Sequence, residues 1–139
     1  MIPIFVIFAI YLGISFILTP ENADGMLAGY NTLSDERKAK YDITKVVHFQ
    51  NKALRLLALC TLLLGGLALY LEYTFLYLFT LLYLPFIVLI GAGIYSRVKF
   101  STDPFRWYDW LIYAAILIFL VFITYQLPFG EMNISDFTE

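Results

Sequence analysis

Apolar and charged positions in this chain are sorted into long blocks. Residues 1–20, 56–71, 73–96 and 110–130 contain no charged side chain. A helix needs about 20 apolar residues to cross a hydrocarbon core about 30 Å thick, and each block approaches that length. Lys52 and Arg55 lie just before the second block, where their long side chains can snorkel to the interface and extend that helix toward Asn51. The pattern predicts an all-α integral membrane protein, a single domain over residues 1–139. Its four transmembrane helices fall at about 1–19, 51–71, 73–96 and 109–127, with a loop at 20–50 and a tail at 128–139. So few residues near Glu72 separate the second and third helices that they must pack antiparallel, as a helix 2/helix 3 hairpin.

Composition fits a bilayer environment. The chain is 61% apolar and 14% charged, whereas soluble domains carry roughly a quarter charged residues. No Lys or Arg precedes the first block and no small-x-small site follows it before Glu21, so it reads as a retained helix and not a cleaved leader. All nine Lys and Arg fall in two connections. Arg37, Lys38, Lys40, Lys45, Lys52 and Arg55 flank the first, and Arg97, Lys99 and Arg106 the second. Under the positive-inside rule both loops are cytoplasmic. Both termini and the turn at Glu72 then lie on the outer, periplasmic side of an inner (cytoplasmic) membrane. Trp107, Tyr108 and Trp110 at one level and Tyr70 and Tyr73 at the other match interfacial aromatic belts.

Inside the blocks, Thr61 with Gly65 and Ala92 with Ser96 form small-xxx-small pairs, which let helix backbones approach closely. Pro85, in the middle of helix 3, leaves the carbonyl of Leu81 without its usual donor, and a kink at residues 81–85 is expected. Cys60 has no partner for a disulfide and reads as a small buried hydrophobe.

The inventory of reactive groups is thin. His48 is the sole histidine, Cys60 the sole cysteine, and no pair of carboxylates falls inside an apolar block. Metal-ligand clusters and nucleophile–base pairs are therefore not visible. The expectation is a protein that is not an enzyme, with no catalytic residue, metal or cofactor. Its expected partners are the lipid bilayer and other integral membrane subunits, with no nucleic acid. A proton-coupled transporter would need an ionisable residue deep in the bilayer, and none is found.

The most distinctive stretch is the first loop. It contains Ala28-Gly29-Tyr30-Asn31-Thr32, then Ser34-Asp35-Glu36, then Lys40-Tyr41-Asp42. Ser34 has the side chain of an N-cap, and Asp35 and Glu36 suit the first turn of a helix. Continuing that helix sets Ala39, Ile43, Val46 and Val47 on one face, which predicts an amphipathic cytoplasmic helix in the loop. Asp103-Pro104 likewise reads as a cap and first-turn proline of a short interfacial helix running toward Asp109.

These three motifs resemble a family of small bacterial membrane proteins classed as a domain of unknown function of the 3784 type. Helix 4 and its acidic tail read as an extension. The resemblance implies a bacterial membrane protein and assigns no activity. The favoured reading is a non-enzymatic accessory or scaffold subunit of an inner-membrane complex, docking through residues 28–42. Gly29, Tyr30, Asn31, Thr32, Ser34, Tyr41 and Asp42 are the candidate partner-binding residues. Thr61, Gly65, Pro85, Ala92 and Ser96 are the candidate helix-packing positions. Two alternatives stand beside it. One is a small oligomeric transporter or channel lined by residues such as Thr61, Thr80, Tyr83, Tyr95 and Tyr125. The other is a membrane-interface enzyme or lipid-binding protein using Tyr30, Asn31, Tyr41, Asp42 and His48.

Overall fold

The computed structural model describes residues 2–27 and 29–126. Ala28 of the first motif, the tail 128–139 and the Asn133-Ile134-Ser135 glycosylation sequon lie outside the described residues. The elements, in chain order, are α1 (Ile2–Ile17), α2 (Ala23–Met26), α3 (Asp35–Lys38), α4 (Ile43–Tyr70), α5 (Thr74–Leu78), a π-helical turn (Phe79–Tyr83), α6 (Leu84–Phe100) and α7 (Asp109–Gln126). Among the described residues there is no strand, only one antiparallel bridge between Tyr41 and Ser101.

Among the described residues, three helices have the length and apolarity to cross a membrane: Ile43–Tyr70, Thr74–Phe100 and Asp109–Gln126. They mark the chain as a helical membrane protein. At 16 residues, α1 is equally apolar but shorter, spanning about 24 Å at the helical rise.

Most of the helix packing runs through α4. Ile4 of α1 packs with Ala68, Tyr77 and Leu78 at one end of the bundle, while Leu18 packs with Val47 and Leu54 at the other. The two helices are therefore antiparallel. They approach closely at Gly65, where an added Cβ would lie 2.8 Å from Cδ1 of Ile4. At the opposite end, the Asn51 amide donates to the free carbonyl of Leu18 (3.0 Å), and Arg55 Nε donates to the buried hydroxyl of Ser15 (3.3 Å). Along another part of its surface α4 meets α5, the π turn and α6.

The connection from α4 to α5 closes in a Schellman-type turn. Tyr73 N–H reaches back to Ala68 O (2.9 Å) and Glu72 N–H to Leu69 O (3.3 Å), with Glu72 in the left-handed region at φ 52°. Glycine is the usual residue there because it has no Cβ to clash. The next break is handled without leaving the helix. The expected kink site coincides with the π turn, in which Leu84 N–H bonds to Phe79 O. Such a widened turn absorbs the backbone offset caused by a helix proline such as Pro85.

Three sequence expectations need correction. The helix beginning at Asp35 stops at Lys38, because the chain turns at Ala39 and Lys40 and then pairs with Ser101. Ile43, Val46 and Val47 belong instead to α4, which starts well before Asn51. Ser34 sits at the N-cap with extended backbone, but its side chain makes no capping hydrogen bond. Residues 102–106 form no helix, because Asp103 is drawn inward by two arginines and does not cap a turn of its own.

Candidate functional site

Both loops that carry the cations meet at one end of the bundle. Asp42 N–H donates to Phe100 O (2.9 Å) and Thr102 N–H to Lys40 O (3.1 Å), so Tyr41 and Ser101 face each other as a minimal two-stranded clasp. Beneath the clasp lies an ionic cluster of Arg37, Arg97, Asp103 and Asp109.

Arg37 reaches in from α3. Its Nη2 lies 2.7 Å and its Nε 3.0 Å from Oδ2 of Asp103, and Nη2 also lies 3.1 Å from Oδ2 of Asp109. Arg97, near the end of α6, approaches the same two carboxylates with Nη2, at 2.6 Å from Asp109 and 3.0 Å from Asp103, and also donates to Pro104 O (2.9 Å). The side chain of Asp103 is 0% exposed and those of the two arginines 10%. Burial at this level is tolerable because two positive and two negative groups neutralise one another with several charge-assisted bonds. Aromatic rings close the walls. The Arg97 guanidinium lies 4.1 Å from the Phe105 ring centroid, and the Tyr108 hydroxyl accepts from Arg106 (2.7 Å).

Electrostatics make this a lock and not an acid–base device. Burial pushes the Asp103 pKa up, but the hydrogen bond from Arg37 and the attraction of Arg37, Arg97 and Lys40 outweigh it and hold the carboxyl below its ordinary value. The hydrogen bond to Asp103 raises the Arg37 pKa further, against the opposing effect of burial. Asp103 and Arg37 therefore stay charged at neutral pH.

The candidate docking residues take up specific places around this lock. Gly29 has φ 88°, a left-handed conformation suited to glycine, and its carbonyl accepts from the Thr32 hydroxyl (3.1 Å). The Tyr30 ring packs edge-on against Tyr41 at 5.5 Å, with the Lys38 ammonium 5.8 Å from the same ring. Lys38 in turn pairs with Asp24 of α2 at 2.5 Å. Asp42 is the N-cap of α4. Its Oδ1 accepts from Lys45 N–H (3.2 Å) and its Oδ2 pairs with Lys45 Nζ (2.7 Å), which lowers its pKa. Tyr30, Tyr41 and Asp42 thus shape the loop, while Asn31, Thr32 and Ser34 are exposed on its outer side.

The helix-packing candidates are all buried: Thr61, Gly65, Pro85, Ala92 and Ser96. The sequence reading missed the ionic lock. Arg37 and Asp103 are 66 residues apart, and no local spacing connects them. Only the order Arg97, Asp103, Asp109 within one connection hinted at a local charge pairing.

Residues 5–102 match the family described as Domain of unknown function (DUF3784). No curated protein and no solved structure matches the chain. The matched region supplies both arginines of the lock, and the residues just beyond it supply both carboxylates. With the match covering well over half of its length, the chain belongs to the DUF3784 family.

Proposed function

We propose that this protein is a non-enzymatic accessory or scaffold subunit of a bacterial inner-membrane complex, docking through the cytoplasmic loop at residues 28–42. In this reading α1 and the three longer helices all cross the bilayer. The cation-bearing loops face the cytoplasm and both ends of the chain lie outside. The pairing of α4 with the continuous helix Thr74–Phe100 forms a rigid transmembrane hairpin, and α3 is the cytoplasmic helix of the loop.

One observation carries the proposal. The loop is fastened at its end by the Arg37 lock and the Tyr41–Ser101 clasp, while Asn31, Thr32, Ser34, Asp35 and Glu36 are exposed in its middle. A segment already held in shape loses less conformational freedom when a partner binds it. The test is affinity purification from native bacterial membranes with quantitative mass spectrometry. Asn31→Ala with Glu36→Ala should remove a specific membrane partner while leaving yield and thermal stability unchanged. Asp42→Ala is unsuited to this purpose because it removes the cap of α4. Co-purification that survives the Asn31/Glu36 change would end the docking proposal. For orientation, a Cys60→Ala background carrying a cysteine at Glu72 should react with an impermeant thiol reagent from outside, and one at Lys38 should not.

A further inference from the structure

The outer surface between α4 and α6 carries two adjoining clefts. The first, about 380 Å³, is apolar and is lined by residues including Leu56, Ile87, Gly91 and Tyr95. The second, about 330 Å³, sits toward the loop end and is lined by Thr44, Lys45, His48 and Phe100. Phe49 and Lys52 line both, so the clefts form one track with a polar head and an apolar tail. Lys45, His48 and Lys52 stand at i, i+3 and i+7 and so share one face of the helix. Phe49, stacked on Tyr95 at 4.7 Å and 6.1 Å from Phe100, forms the floor at the junction. Gly91 leaves the tail open, since a Cβ there would meet nothing within 4 Å.

We propose that this track binds one anionic phospholipid, its phosphate held by Lys52 with Lys45 and His48 and one acyl chain lying along Leu56, Ile87 and Gly91. The argument is charge complementarity joined to depth. The basic residues lie at the end of the bundle where the polar loops meet, which is the headgroup level of a bilayer, and the apolar cleft runs from there into the hydrocarbon region. Basic pockets between transmembrane helices select acidic headgroups in this way. Asp42 already pairs with Lys45, so Lys52, which faces both clefts, carries the larger share of the attraction. The site is separate from the docking surface, and neither proposal depends on the other.

The test uses the full chain purified in mild detergent, with native mass spectrometry in equal amounts of dioleoyl phosphatidylglycerol and dioleoyl phosphatidylcholine. The protein should retain the anionic lipid in preference, and Lys52→Gln should weaken that preference about fivefold, the effect of one basic residue near an acidic headgroup. Gly91→Phe, whose Cβ would meet nothing within 4 Å and whose ring would occupy the tail, should lower retention of the anionic lipid while leaving helicity and elution volume unchanged. Lys40→Gln, an exposed cation outside both clefts, should have little effect. Equal retention of both lipids by the parent would overturn the proposal, as would a Lys40→Gln loss equal to that of Lys52→Gln. Unchanged retention in Gly91→Phe would also overturn it, because the headgroup would then be held without the groove. Should Lys52→Gln fail to fold, the parent preference and Gly91→Phe still decide.

Discussion

α4 and α7 are both apolar helices, yet they are held in opposite ways. α4 buries residues along its length, from Val46 and Val47 through Leu57 and Thr61 to Ala68. Among the described residues, α7 buries none. It is fastened instead at its two ends. Asp109 joins the ionic lock, and Thr124 hydrogen-bonds to Tyr83 in the π turn. In water a helix such as α7, with Leu117, Ile118, Val121 and Phe122 all exposed, would be driven onto the bundle. In lipid it is not, because hydrocarbon solvates these side chains as well as a helix neighbour does. Directional polar contacts then decide where such a helix sits. α4 lies wholly within the family match at residues 5–102, and α7 lies beyond it.

If polar contacts alone hold α7, the largest loss should come from the lock. Arg37→Ala leaves Asp103 and Asp109 facing a single arginine, and stripping one partner from a buried ion cluster typically costs about 3–5 kcal/mol. Thermal unfolding in detergent should show this as a large drop. A loss below about 1 kcal/mol would mean that the lock is not what secures α7.

The pH dependence sharpens the same point. Asp103 has a lowered pKa in the folded state, so its contribution is fully present above the ordinary carboxylate value of 3.8 and is lost as pH falls through the folded value. Asp103→Asn should cost about 1.5–3 kcal/mol at neutral pH, the usual worth of hydrogen bonds to a charged group. It should also flatten the acid limb of the stability profile. A variant with the parent's acid sensitivity would assign that limb to other carboxylates.

On the α4 side, shape is what matters. Gly65→Ala places a methyl 2.8 Å from Cδ1 of Ile4 and should cost about 1–2 kcal/mol, at the lower end for overpacking because Cδ1 is the tip of a flexible chain. Ile4→Val in the same molecule removes that tip and should recover part of the loss. Gly66→Ala, which meets nothing within 4 Å, should be neutral or slightly stabilising through helix propensity. Equal effects at Gly65 and Gly66 would remove the close α1–α4 approach as a determinant.

The smallest effect belongs to the exposed face of α7. Phe122→Ala should change unfolding stability by less than about 0.5 kcal/mol, as for surface substitutions elsewhere. A substantially larger loss would show that α7 packs against a protein neighbour and not against lipid.

The placement of the apolar blocks was legible in the sequence because membrane crossing is a property of single segments. About 20 uncharged residues satisfy it whatever else is in the chain. Other features required the folded chain. Asp35, Glu36 and the apolar spacing after Ala39 suggested one continuous helix, but pairing of Tyr41 with Ser101 breaks it, and that partner lies far along the sequence. Asp103 followed by Pro104 has the local signature of a helix start, yet two arginines from other elements claim its carboxylate. Periodicity and composition report what a segment prefers alone. Only tertiary structure decides which distant charges meet, because their attraction is felt only once the helices have brought them within hydrogen-bonding distance.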